Sequence, residues 1–212
     1  SAGTAHLTQP YLDDPSSSGI AIWSDDELLN ALVAYDALQY QVHLHAIGDA
    51  AVKQALDAIE AMQRINPPWD RRPVIVHAQL VRNEDLSRFA QLGVIANIQP
   101  LWCYLDPMNK DLIAPRIGNE RNDQQYRLRS MLNAGAMIAF GSDWPVTSHV
   151  PMQAIGVPVT RSNPADGVTQ AWVIEEALTM DESLTFYTKN AAYQLFRENE
   201  YGVLEVGKRA AF

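Results

Sequence analysis

Apolar and polar positions follow two rhythms along this chain. Over residues 24–40, "SDDELLNALVAYDALQY", Leu28, Leu29, Leu32, Val33 and Tyr35 recur near the helical period. Ser24 is placed to cap that helix, and Glu27 three residues on completes a capping box. The run "QVHLHA" then predicts a short strand. In "GDAAVKQALDAIEAMQRI", Asp49 is the natural N-cap and Val52, Leu56, Ile59 and Met62 form the apolar stripe of a second helix. After the breaker-rich "NPPWDRR" come a strand in "PVIVHA", a short helix in "NEDLSRFAQLG" between Asn83 and Gly93, and a strand in "VIANIQ". Residues 100–122 read as irregular. "DQQYRLRSMLNAG" predicts a helix closed by Gly135, and "AMIAFGSD" a fourth strand. Beyond Asp143, "PMQAIGVPVTRS" and "EEALTMDESLTFYTKNAAYQLF" predict further helices, and "GVLEVGKRAAF" a turn into a strand.

Four short apolar strands alternating with helices imply parallel strands joined by helical crossovers, an α/β fold. The strands are almost continuously apolar, as expected where both faces are covered. No tandem repeat is present.

Composition narrows the function classes. The chain has 212 residues, 47% of them hydrophobic, so it can bury a sizeable core. Its net charge is −9 and its 16 Lys and Arg form no basic cluster, which argues against nucleic acid or an anionic membrane as partner. No apolar run reaches the roughly 18 residues of a membrane span. The single cysteine, Cys103, has no basic neighbour in sequence and reads as an inert thiol, in keeping with a reducing, cytoplasmic location. Both ends, "SAGTAHLTQPY" and "LEVGKRAAF", read as cuts through a longer protein.

The polar residues that interrupt this pattern fall at strand ends. His45 ends "QVHLH", His77 ends "PVIVH", and Asp143 follows "AMIAFGS". Parallel α/β barrels build their sites at the carboxyl ends of strands, so three ligand-type residues there are expected to converge. Imidazole and carboxylate suit a divalent transition metal. Each has an ordinary reading as well. Either histidine alone would be core filler, Asp143 alone a turn cap, and Asp49 a helix cap; it is the conjunction that suggests a metal site. His43 shares a face with His45 and reads as an inner-layer histidine. Gln99 at the end of the third strand, with Trp102 and Trp144 just beyond strand ends, are candidate substrate-lining residues. His6 and His149 read as exposed loop histidines.

The segments "HAIGDAA", "HAQLVRNEDLSRFAQLGVIANIQP", "SMLNAGAMIAFGSDWPV", "TFYTKNAAYQLF" and "GVLEVGKRA" resemble, in order and spacing, the amidohydrolase superfamily. They are most similar to the branch that includes N-substituted formamide deacylases and exoenzyme-regulatory homologues. The resemblance implies part of a TIM-like (β/α)8 barrel, approximately strands 5 to 8 with their helices, over residues 1–200. It implies that residues 201–212 begin a truncated β-sandwich segment. It also implies that His45, His77 and Asp143 bind one or two divalent ions, zinc foremost, and that Asp143 shuttles protons as the catalytic residue. The family's His-x-His lies on the first strand and its bridging ligand on the fourth, and neither is within this chain. After "QP" the chain has "LWC" where relatives carry a histidine nearby, and Ala211 stands where they commonly carry Asp.

The expected activity of the full-length protein is therefore metal-dependent hydrolysis of a C–N bond in a small amide, N-formyl or N-acyl substrate. The isolated chain is expected to be inactive, depleted in metal and self-associating. The alternative is a non-catalytic structural or regulatory half-barrel.

Overall fold

The computed structural model describes residues 3–209. Its centre is a four-stranded, all-parallel sheet in the order β1 (His43–Ala46), β2 (Val74–His77), β3 (Ile95–Ile98) and β4 (Met137–Phe140). Consecutive strands are neighbours, so every carboxyl end lies along one edge. The helices are α1 (Asp25–Ala37), α2 (Asp49–Ile65), α3 (Leu86–Gln91), α4 (Ala114–Ile117), α5 (Asn119–Asn122), α6 (Leu128–Asn133), α7 (Pro151–Ala154), α8 (Val157–Thr160), α9 (Met180–Tyr187) and α10 (Lys189–Gln194).

The two faces of the sheet are covered differently. Ile75, Ala96, Ile98, Ile138 and Phe140 point to the helical layer, where they join Leu56 and Ile59 of α2, Phe89 of α3, Met131 of α6 and Phe186 of α9 in the main core. On the other face Val74, Ile95 and Ala139 form a small cluster against Tyr193 of α10. β2 to β4 are thus covered on both sides, as their apolar sequence predicts. β1 is not: His43 and His45 are exposed.

The capping box of α1 forms as predicted, Ser24 Oγ accepting from Glu27 N and Glu27 from Ser24 N at 3.0 Å. A bidentate ion pair ties α1 to the loop before β2: Asp36, 2% exposed, accepts from Arg71 Nε at 2.7 Å and Nη2 at 3.1 Å. Trp69 Nε1 and Asn66 Nδ2 donate to the same carboxylate.

Several boundaries differ from the sequence reading. Gly48 caps α2, and Asp49 is its first residue. The Asp49 carboxylate instead accepts from the backbone N and hydroxyl of Thr8, anchoring the N-terminal segment. Gly48 is required there, since a Cβ would lie 2.0 Å from the carbonyl oxygen of His6. The helix expected from residue 123 begins only at Leu128, because Tyr126 is buried in a left-handed conformation and bonds Gln79 through its backbone. Arg161, also left-handed, ends α8, and the backbone at Thr188 breaks the last long helix into α9 and α10. Residues 100–122 are mostly short helical turns rather than irregular. Residues 201–209 run as bends and turns, and the remainder of the expected terminal strand, with Ala211, lies outside the described residues. No helix of the described residues is long and apolar enough to cross a membrane.

Candidate metal centre

Two of the three expected ligands meet. His77 Nε2 lies 3.0 Å from His45 Nδ1, and the rings pack edge to face with centroids 4.5 Å apart. Pleating alone does not produce this contact. In register His77 pairs with Ala46, while His45 pairs with Val76, so the two histidines leave opposite faces. At His77 and Ala78 φ is 75° and 41°, left-handed backbone that ends the alternation and lets the ring reach the other face. Such conformations cost roughly 1–3 kcal/mol each for non-glycine residues and concentrate at functional sites.

His77 is 4% exposed. Trp102, in the turn after β3, stacks on its ring at 5.4 Å and 13°. Its Nδ1 lies 2.7 Å from Gln99 Oε1. Burial holds the imidazole below its ordinary value of 6.5; the Gln99 bond opposes this, the His45 ring adds to it, and the Asp143 charge opposes it. The ring is therefore mainly neutral at pH 7, the state a metal ligand needs.

Asp143 lies in the turn after β4, exposed and also left-handed at φ 54°. Its carbonyl accepts from Val146 N at 2.8 Å, so its backbone also serves the turn role. Its charge acts on His77, yet among the described residues no group of three or more His, Cys, Asp or Glu is positioned to hold a metal ion. The fit is thus a two-nitrogen one. Two nitrogens sharing one tetrahedral ion, each at about 2.0–2.1 Å, stand about 3.3 Å apart, close to the separation found here.

The other candidates separate. Gln99 is 2% exposed and both ends of its amide are engaged, with His77 and with Asn97 Oδ1 at 3.2 Å, so it faces the histidine rather than a substrate. Trp144 is 67% exposed and packs edge to face against His149. His43 Nε2 lies 3.2 Å from Gln41 Oε1 on the open face instead of in an inner layer. His6 is half-buried, not exposed, and its Nδ1 is buried without a hydrogen-bond partner among the described residues. Cys103 is fully buried and burial pushes its thiol up to about 12, which keeps it inert. Sequence reasoning missed Asn97 and Gln194. Asn97 carried a signal, a polar residue inside "VIANIQ" on the pleat of Gln99; Gln194 carried none.

All of the chain, residues 1–212, matches the amidohydrolase family. The protein LONG AFTER FAR-RED 3 of Arabidopsis thaliana is 34% identical over 212 residues, 100% of this chain and 36% of that protein. The putative amidohydrolase YtcJ of Bacillus subtilis (strain 168) is 30% identical over 99% of this chain and 38% of its own length. An uncharacterized metal-dependent hydrolase of Pyrococcus horikoshii OT3 superposes with a TM-score of 0.83 at 31% identity, over 99% of this chain and 40% of that one. The chain thus spans less than half the length of these relatives.

Proposed function

The chain belongs to the amidohydrolase family, and from that premise we propose that it supplies strands five to eight of the barrel of a metal-dependent hydrolase acting on an amide, N-formyl or N-acyl C–N bond. The observation that carries this reading is the facing pair of imidazole nitrogens, His45 Nδ1 and His77 Nε2, at the carboxyl edge of a parallel sheet. A relative 29% identical over 91% of this chain is an N-substituted formamide deformylase of Arthrobacter pascens, which supports the choice of bond.

In this reading His45 and His77 hold a divalent ion, zinc foremost, through those two nitrogens. The bound ion supplies Lewis acidity, acidifying water and polarising the scissile carbonyl. Asp143 takes the water's proton on a carboxylate oxygen and returns it to the leaving nitrogen. Its exposure keeps it open to both partners. Trp102 closes one side of His77 to water. Trp144, exposed just beyond Asp143, is free to meet a substrate.

The test uses the full-length protein: elemental analysis, with a screen of N-formyl and N-acyl compounds, before and after His45→Ala and His77→Ala. Loss of both metal and turnover is expected. Metal and turnover that survive both changes would remove the pair from the site. A second reading, a non-catalytic half-barrel, is favoured by the lack of a three-ligand cluster among the described residues. A metal-free full-length protein would establish it.

A further inference from the structure

Behind His77 a row of side-chain amides runs across the face of the sheet that α10 covers. His77 Nδ1 meets Gln99 Oε1 at 2.7 Å. Gln99 Nε2 donates to Asn97 Oδ1 at 3.2 Å, and Asn97 Nδ2 donates to Gln194 Oε1 at 2.9 Å. Gln194, on α10, is 7% exposed and is held through its backbone carbonyl by Gln41 Nε2 at 2.9 Å. Room for Asn97 comes from Gly141, where an added Cβ would stand 3.2 Å from Asn97 Oδ1.

An amide has one accepting and one donating end, so the direction of one link fixes the direction of the next. Here every link donates the same way, from His77 towards α10. We infer that Gln194, Asn97 and Gln99 act as a one-way relay of positioning residues that holds His77 as the Nδ1–H tautomer and leaves its Nε2 unprotonated, the accepting side of its 3.0 Å contact with His45 Nδ1.

That unprotonated nitrogen is the atom facing His45. Reversed, the row would put the proton on Nε2 and remove the lone pair a metal needs. Because the relay is built of amides, it orients the ring without bringing a charge beside it, which a carboxylate would do. Partners of this kind on the second ring nitrogen typically change metal affinity 10–100-fold when lost. The purpose of the relay rests on the metal-site reading; its geometry does not.

The test reads the tautomer directly in this chain without metal, from long-range proton–nitrogen spectra of the histidine rings at pH 8, with His77 assigned from a His77→Gln control. His77 is expected as the Nδ1–H form. Asn97→Asp must preserve it, since a carboxylate there accepts from Gln99 Nε2 and holds Gln99 in its observed direction. Asn97→Leu and Gln194→Met touch neither imidazole, and both must draw the two ring-nitrogen shifts of His77 together as the tautomers mix. Gln194→Met supplies this reading if Asn97→Leu unfolds. An Nε2–H ring in the parent chain, or an unmoved ring in Gln194→Met, would overturn the relay. Zinc affinity unchanged by His45→Ala in the full-length protein, alongside the expected tautomer shifts, would overturn the metal reading and leave the relay standing.

Discussion

His77 Nε2 and His45 Nδ1 face each other at 3.0 Å although the two residues leave opposite faces of adjacent strands. The contact exists because β2 ends in left-handed backbone at His77 and Ala78. Trp102 stacked on one side and Gln99 bonded behind then fix the ring in place. The result is a buried, neutral, oriented imidazole within this chain.

Two nitrogens make a weak site. Ligand number and preorganisation set metal affinity. The isolated chain is expected to carry well under one tightly bound zinc per molecule by elemental analysis. Added zinc should bind weakly, and His77→Ala should weaken that binding at least about tenfold. A stoichiometric zinc that survives purification of the isolated chain would show that further ligands exist within it.

Asp143→Asn in the full-length protein should lower kcat by about 10²–10⁴-fold, the usual share of a general acid–base. The side chain is exposed, so the melting temperature should hardly move. Near-normal turnover by this variant would take Asp143 out of proton transfer.

The sequence makes the sheet legible because its strands are short apolar runs, each bounded by turn residues, and strand–helix alternation leaves few arrangements. Ser24 and Glu27 specify the start of α1 by local chemistry alone. What stayed hidden depends on distant partners. Asp49 looks like a cap until Thr8, 41 positions away, takes its carboxylate. Tyr126 fits a helical period, but the backbone of Gln79 pulls it out of the helix. Gln99 looks like a lining residue because nothing local reveals its bond to His77, 22 positions earlier.

Asp36 and Arg71 form the buried ion pair that joins α1 to the entry of β2. Burial pushes the Asp36 carboxyl up, but the hydrogen bonds from Arg71, Asn66 and Trp69 together outweigh it and hold it below its ordinary value. Asp36→Ala leaves a buried guanidinium unpaired and should cost about 3–5 kcal/mol in urea unfolding. Replacing both together, Asp36→Leu with Arg71→Met, should recover much of the loss. A double variant no better than the single one would mean that the charges themselves are needed.

Acid should loosen the contact between α6 and α9. Hydrogen bonds from Arg129 hold the Glu182 carboxyl down at about 2, from an ordinary 4.5. The folded value is the lower one, so the stabilisation is complete above pH 4.5 and fades as pH falls towards 2. Both side chains are partly exposed, so solvent screening limits the effect to about 1 kcal/mol. Arg129→Met should flatten the pH dependence of stability between those limits. An unchanged slope would show that Glu182 titrates elsewhere.

The sheet's outer edges predict association. Among the described residues β1 and β4 each pair on one side only, which exposes backbone groups able to accept another strand. Beside β1 opens a groove of about 910 Å³ lined by Ile22, Trp23, Tyr35, Tyr40, His43 and Leu44, among others. Ile22 is 85% exposed, Tyr40 61% and Tyr35 57%, so apolar side chains are grouped on the open side of this groove. A second copy is the partner always available to an isolated chain, and closed symmetric pairs are the usual outcome. Light scattering on the purified chain should therefore report an oligomer whose mass falls on dilution. Ile22→Lys puts a charge in the groove without touching the core, and should shift the equilibrium towards monomer. A monodisperse monomer at every accessible concentration would mean that the groove and both edges are satisfied within one chain, and the self-association reading would fail.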